Sequence, residues 1–212
     1  MASKILEQLE WRYATKKFDE SKKLSEEKLY TLKEAFNLTA TSYGLQPLKL
    51  VVVSSPEKIK ELVPMSYNQG QIGNASNILV ICTETKVDEK YIRNYFDLVE
   101  KTRNTPRDVL SSFEEFLVSD FGKKTQEEID IWAAKQAYLA IGNLLTVCAV
   151  EEVDACPIEG FVPSQYDEYL QLTEKGLKSV LVLAVGYRAE DDMFSEMKKV
   201  RKGVEEIVIE IK

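Results

Sequence analysis

Four short stretches of this chain carry residue types suited to gripping an anion and presenting backbone to a flat molecule. The first is Arg12-Tyr13-Ala14-Thr15-Lys16-Lys17. Its guanidinium fork suits paired phosphate oxygens, and a lysine four residues on supplies a compact second charge. The second, Lys198-Lys199-Val200-Arg201-Lys202, brings further cations from the far end of the chain. The third, Ala40-Thr41-Ser42-Tyr43-Gly44-Leu45-Gln46-Pro47, sets small hydroxylated residues around a glycine, a composition that lets backbone pack closely on a ligand. The fourth is Asp154-Ala155-Cys156-Pro157-Ile158-Glu159-Gly160-Phe161. Its proline withholds an amide and its glycine lets backbone come close, so a main-chain edge faces something planar.

The chain has no histidine. That removes Ser-His-Asp and Cys-His hydrolysis, histidine-ligated zinc and the commonest general acid–base side chain. A cofactor that brings its own reactivity suits such a chain. The three cysteines, Cys82, Cys148 and Cys156, lie in apolar surroundings without metal-ligand spacing, so buried reduced thiols and no metal site are expected. The net charge of −7, with no basic stripe outweighing the acids, argues against nucleic acid as a partner. No signal-like apolar run opens the chain and no stretch reads as long enough to span a bilayer, so a cytoplasmic protein without a membrane partner is expected.

The elements that must hold these residues follow from pattern. Lys4 to Trp11 reads as a helix, and Ser25 opens a second one. Leu48 to Ser54 is a strand, followed by Ser55 as a cap and Pro56 at a first helical position. Ile78 to Cys82 and Ser179 to Val185 are aliphatic runs typical of central strands. Asp88 and Thr105-Pro106 each begin a helix. Thr125 and Glu128 form a capping box for a long helix so apolar, from Ile129 through Trp132, Ala133, Gln136, Ala137, Ala140, Ile141 and Leu144 to Cys148, that it must be covered on all sides. Ile207, Ile209 and Ile211 alternate, so the tail reads as a strand. With no repeat or linker, residues 1–212 read as one α+β domain: a mixed central sheet wrapped by helices.

The run Ala134-Lys135-Gln136-Ala137-Tyr138-Leu139 with Gly142-Asn143, then Pro157-Ile158-Glu159-Gly160-Phe161, resembles the flavin-dependent NAD(P)H nitroreductase and dihydropteridine reductase family. The resemblance implies bound FMN, NAD(P)H as a transient co-substrate, and an intertwined homodimer whose C-terminal strand joins the partner's sheet. In that family the Pro-Ile-Glu-Gly turn offers amides to the reactive ring nitrogen, which marks Pro157, Ile158, Glu159 and Gly160, with Gln136 and Leu139 on the helix beside them. Arg12 and Lys16 match an Arg-x-x-x-Lys element in which the arginine holds phosphate and the lysine faces the pyrimidine edge. Glu159, Gly160 and Lys16 are thus the implied catalytic group. Lys199 and Arg201 match a second phosphate-binding pair, and Asn68 matches an asparagine on the pyrimidine edge.

Three departures stand out. Tyr13-Ala14 replaces a His-Ser or Arg-Ser pair and removes a hydroxyl. Ala40 and Gly44 replace the proline and asparagine of a loop that otherwise keeps Thr41, Ser42, Gln46 and Pro47, and that the other subunit contributes. Gln71 stands where many members carry a second lysine, which implies a lower two-electron potential. Residues 86–124, rich in Tyr and Phe, match least and read as a helical elaboration over the substrate pocket. The implied reaction is ping-pong transfer of two electrons to quinones, nitroaromatics or similar electron-poor acceptors. Pteridine or enone reduction, flavin fragmentation, a flavin store or sensor, and a cofactor-free helical interaction protein stay open as alternatives. No Gly-x-Gly-x-x-Gly fingerprint occurs, so nicotinamide binding is expected to be transient.

Overall fold

The strands carry apolar residues on both faces, and a computed structural model, which describes residues 3–212, shows what covers each face. Strands β1 (Leu48–Val53), β2 (Asn77–Glu84), β3 (Asp154–Ile158) and β4 (Leu177–Gly186) form one sheet in the order β1-β2-β4-β3. Along β2, Ile78, Val80 and Cys82 enter one core while Leu79 and Ile81 enter the other, the period-2 consequence of a pleated strand covered on both sides. Helices α3 (Pro56–Leu62), α4 (Gly70–Asn74) and α8 (Pro163–Tyr169) cover the first face through Ile59, Leu62, Ile72 and Tyr166. Helices α2 (Glu26–Asn37) and α7 (Gln126–Val150) cover the second through Leu29, Leu32, Ala137, Ala140, Ile141 and Leu144. Truncating a wholly buried residue such as Leu144 should cost about 2–5 kcal/mol.

Local signals set the helix starts. The side chains of Ser25, Ser55, Asp88 and Thr125 each accept a backbone N–H of the first turn, and Thr125 and Glu128 complete the capping box. Such caps contribute about 1 kcal/mol each. Helices α5 (Glu89–Arg103) and α6 (Arg107–Gly122) build a separate cluster around Ile92, Phe96, Leu117 and Phe121. The buried Glu114 clamps them: it accepts from Arg107 Nε at 2.8 Å and from Arg93 at 3.2 Å.

Three expectations need correcting. The sheet is antiparallel at every pairing, not mixed; among the described residues the one parallel contact recorded is the isolated bridge Ala14–Ala155. The tail does not form a strand within the chain: Val204–Ile207 is a helical turn, α9, and residues 208–212 run on exposed and unladdered. Alternating isoleucines form a strand only against a sheet edge, and the tail pairs with neither β1 nor β3, the edge strands of its own sheet. Finally, α7 is long and apolar enough to cross a membrane by length and composition, against the expectation that no stretch is. Within the chain one face of it packs on the sheet, while Ile131, Tyr138 and Leu139 on the other are about half exposed. The three cysteines are buried and free, as expected.

Candidate functional site

Helix α1 (Lys4–Trp11) stops at Arg12, whose backbone turns extended. The chain then runs past β3, where Thr15 donates its N–H to the Ala155 carbonyl at 3.4 Å. This delivers Arg12, Tyr13, Ala14 and Lys16 to the rim of a cavity of about 680 Å³. Lys199 and Arg201 line the same cavity, although more than 180 residues separate them from Arg12. Lys199 Nζ donates to the Arg12 carbonyl, fixing the two segments together.

The cations are crowded. Burial, then the charge of Arg201, lowers the Arg12 pKa below its usual value. Burial, then Arg12 and Arg201, likewise lowers the Lys199 ammonium. Among the described residues, no carboxylate forms an ion pair within 4 Å with the charged side-chain nitrogens of Arg12, Lys16, Lys199 or Arg201. Cations held together against their own repulsion make a receptor for a multiply charged anion. A phosphate monoester fits that demand.

What holds them lies outside the cavity's charge. Asp192, 3% exposed, accepts from Tyr13 Oη at 2.8 Å, from the N–H of Lys16 at 2.9 Å and from the N–H of Lys17 at 3.1 Å. Its other oxygen takes the Phe194 N–H at 3.2 Å. Burial raises the Asp192 carboxyl, but these donors outweigh it and leave the pKa below the usual range. Tyr13 is pushed up by burial and by this bond. Behind them the Arg188 guanidinium lies 4.3 Å from the Trp11 ring centroid and 4.6 Å from that of Tyr13, and its Nε donates to the buried Asp154 at 2.8 Å. Tyr13, the first residue of the Tyr13-Ala14 departure, therefore anchors the loop.

The turn after β3 forms a second, neutral region. Phe161 N–H donates to the Glu159 carbonyl at 3.0 Å, closing the turn. Among the described residues, the N–H groups of Glu159 and Gly160 have no acceptor within the chain. Tyr138 of α7 donates to the Glu159 carboxylate, which keeps the Tyr138 hydroxyl protonated to higher pH. The Gln69 amide donates to the Gly160 carbonyl at 2.6 Å, and Gln71 donates to Gln69 at 2.8 Å. A Cβ on Gly160 would lie 3.0 Å from Gln69 Nε2. Asn68 and Tyr67 precede these residues with positive φ of 59° and 53°, an uncommon conformation that costs energy and clusters at ligand contacts. Both side chains are exposed. Lys16 reaches this region too, since its charge opposes the upward pull of burial on the Cys156 thiol next to Pro157.

The loop at 40–46 is not part of this assembly within one chain. Ser42 N–H donates to Gln136 Oε1 at 2.8 Å, whereas Arg12 lies near Cys148. The positions 136 and 148 are about 18 Å apart along α7. The side chain of Gln136 is buried, accepts from Ser42 and donates to the Trp132 carbonyl at 3.0 Å; it positions Ser42 and does not line the Arg12 cavity. Gly44 has φ +74°, and a Cβ there would meet the Tyr95 hydroxyl at 2.5 Å, so the glycine that departs from the family loop matches a tyrosine above it. Thr41 and Ser42 are half-buried, while Ala40 and Leu139 are exposed. Along α7, residues 12–16 and 199–201 thus gather toward the Cys148 end, whereas the loop at 40–44 meets Gln136 and the turn at 159, with Gln69 beside it, meets Tyr138 toward the other end.

The nitroreductase family profile matches residues 9–187. The chain belongs to the nitroreductase family. A Bacillus subtilis relative named for NAD(P)H nitroreductase, YfkO, is 36% identical, with 98% of this chain and 97% of the relative covered. The oxygen-insensitive NAD(P)H nitroreductase of Enterobacter cloacae is 30% identical over 94% of this chain and 95% of its own. Among solved structures, a nitroreductase-like protein of Exiguobacterium sibiricum in complex with FMN superposes with a TM-score of 0.84 at 20% identity, covering 100% of this chain and 99% of that one. As a nitroreductase, this chain has a supporting layer that its motifs do not announce. Asp192, Arg188 and Asp154 sit among ordinary charged residues, and only the loop's proximity to them reveals a role. Gln69 had one available signal, its place between two matched positions.

Proposed function

We propose that this chain is an NAD(P)H-dependent oxidoreductase that binds FMN and passes two electrons to quinones, nitroaromatics or similar electron-poor acceptors in a ping-pong cycle. The observation that carries this reading is the convergence of Arg12, Lys199 and Arg201 on one cavity, whose rim residue Ala14 bridges to Ala155 of β3, the strand that runs on into the turn with the unpaired amides of Glu159 and Gly160. An anion receptor beside a neutral donor edge suits a flavin phosphate and a flavin ring. Bound FMN would supply the hydride acceptor and donor, chemistry that a chain without histidine lacks.

The residues bind and tune. Arg12, Lys199 and Arg201 hold phosphate, with Tyr13 and Ala14 shaping the loop. Lys16 places a positive charge where negative charge develops on reduction. Asn68 and Gln71 flank the pyrimidine edge; Pro157, Ile158, Glu159 and Gly160 supply the backbone edge; Leu139 adds apolar contact. Ala40, Thr41, Ser42 and Gly44 belong to the site of a second copy, which makes the functional unit a homodimer. The exposed half of α7 and the unladdered tail support that assembly. We read residues 1–212 as one FMN-binding unit with residues 86–124 as its cover, acting in the cytoplasm, where three free thiols stay reduced.

The test is spectroscopic. Protein supplied with FMN and freed of oxygen should lose its visible flavin absorbance on adding NADPH or NADH and regain it on adding a quinone. A retained flavin that neither nucleotide bleaches would replace this reading with a flavin store or sensor.

A further inference from the structure

The turn at Glu159-Gly160 ends a continuous chain of amides. Gln71 NH2 donates to the Gln69 carbonyl oxygen at 2.8 Å, and Gln69 NH2 donates to the Gly160 carbonyl at 2.6 Å. The N–H of that same peptide group, on Phe161, donates to the Glu159 carbonyl at 3.0 Å. The N–H of the Glu159–Gly160 peptide, on Gly160, then has no acceptor within the chain among the described residues. Four amide groups are therefore linked in one sense, each donating to the next carbonyl, and the run ends on the free Gly160 N–H. Hydrogen-bonded amides aligned in this way polarise one another, so the terminal N–H becomes a stronger donor than an isolated amide.

We propose that Gln69 and Gln71 are positioning residues that strengthen and aim the Gly160 N–H toward the ligand, an inference that rests on the flavin reading given above. Gln71 is buried, and its donor is spent on Gln69. Its contribution is a dipole passed along the relay in place of a lysine charge delivered through space. The relay also gives Gly160 a second reason to lack a side chain, since a Cβ there would crowd the Gln69 nitrogen that feeds the chain. Because the relay reaches the turn through the Gly160 carbonyl, its effect on the Gly160 N–H is separate from any contact Gln71 makes with the pyrimidine edge.

The experiment uses the full-length protein, free and FMN-loaded, with Q71L and Q69L. Q71L leaves the turn's own hydrogen bonds in place. In the flavin-free protein the amide resonance of Gly160 should move upfield in both variants, more in Q69L, with amides elsewhere unshifted. In the FMN-loaded protein the two-electron potential should fall in the same order, a change that a merely structural role would not grade. A Gly160 resonance that stays in place in folded Q71L overturns the relay. A resonance that moves in a protein that takes up no FMN upholds the relay and overturns the flavin reading instead.

Discussion

The two ends of the proposed site offer opposite means of binding. At one end Arg12, Lys199 and Arg201 are full charges held against each other, and the buried Asp192 anchors the loop between them without pairing with any of them. At the other, Glu159 and Gly160 offer uncharged N–H groups. The cationic end is built for affinity: it satisfies an anion whose charge does not change during turnover. The amide end is built for chemistry, because donors of modest strength favour a ring whose charge does change without trapping either state. Substitutions at the first end should therefore alter how much cofactor binds, and those at the second how it reacts.

The largest expected effect is at the cationic end. Arg12→Ala removes two charge-assisted bonds worth about 3 kcal/mol together, so FMN should bind about 100-fold more weakly by calorimetry. An affinity within about twofold of the parent would break the assignment of phosphate to this end. Asp192→Ala leaves the Lys16 and Lys17 amides without their acceptor and should cost about 2–3 kcal/mol in denaturant unfolding. The pH dependence has a definite sign. Asp192 is depressed in the folded state, so its contribution is present above its unfolded value near 4 and is lost as pH falls through the folded value. The parent should thus lose stability relative to Asp192→Ala on acidification below about pH 4, and parallel acid curves would count against the anchor.

At the amide end the effects should be smaller and of another kind. Gln71→Lys should raise the two-electron potential of the bound flavin by restoring a cation, with little change in FMN affinity; an unchanged potential would sink the argument. Gly160→Ala should unfold at nearly the parent's denaturant midpoint, because the crowded atom is the end of a flexible side chain, yet it should slow reduction by NADPH in stopped flow. Tyr138→Phe removes a half-exposed bond to Glu159 and should change stability by less than about 1 kcal/mol, which thermal unfolding can check.

Much of this was legible in the chain and some was not, for physical reasons. Helix starts at Ser25, Ser55, Asp88 and Thr125 were readable because a cap is a contact over three residues. Strands β2 and β4 were readable because burial on both faces leaves an unbroken aliphatic run. Arg12, Lys16, Lys199 and Arg201 were matched by family resemblance and line one cavity, whereas Asp192, which anchors the Tyr13–Lys17 loop, was not marked, since it lies 179 residues from Tyr13 and no local pattern pairs them. Gln69 escaped for the same reason: its bond to Gly160 spans 91 residues. The tail is unpaired within its own chain: alternation reports what a strand would bury, not whether its own sheet supplies the edge. Helix α7 read as covered all round, but a single chain covers only the face turned to the sheet.

The most direct test of the contrast between the two ends is to titrate parent and Arg12→Ala protein with FMN and with riboflavin, which share the ring but differ in the phosphate. The parent should prefer FMN by more than about 100-fold, and Arg12→Ala should cut that preference about 100-fold through weaker FMN binding while leaving riboflavin affinity nearly unchanged. Equal affinity of the parent for FMN and riboflavin would contradict an affinity centred on Arg12, Lys199 and Arg201.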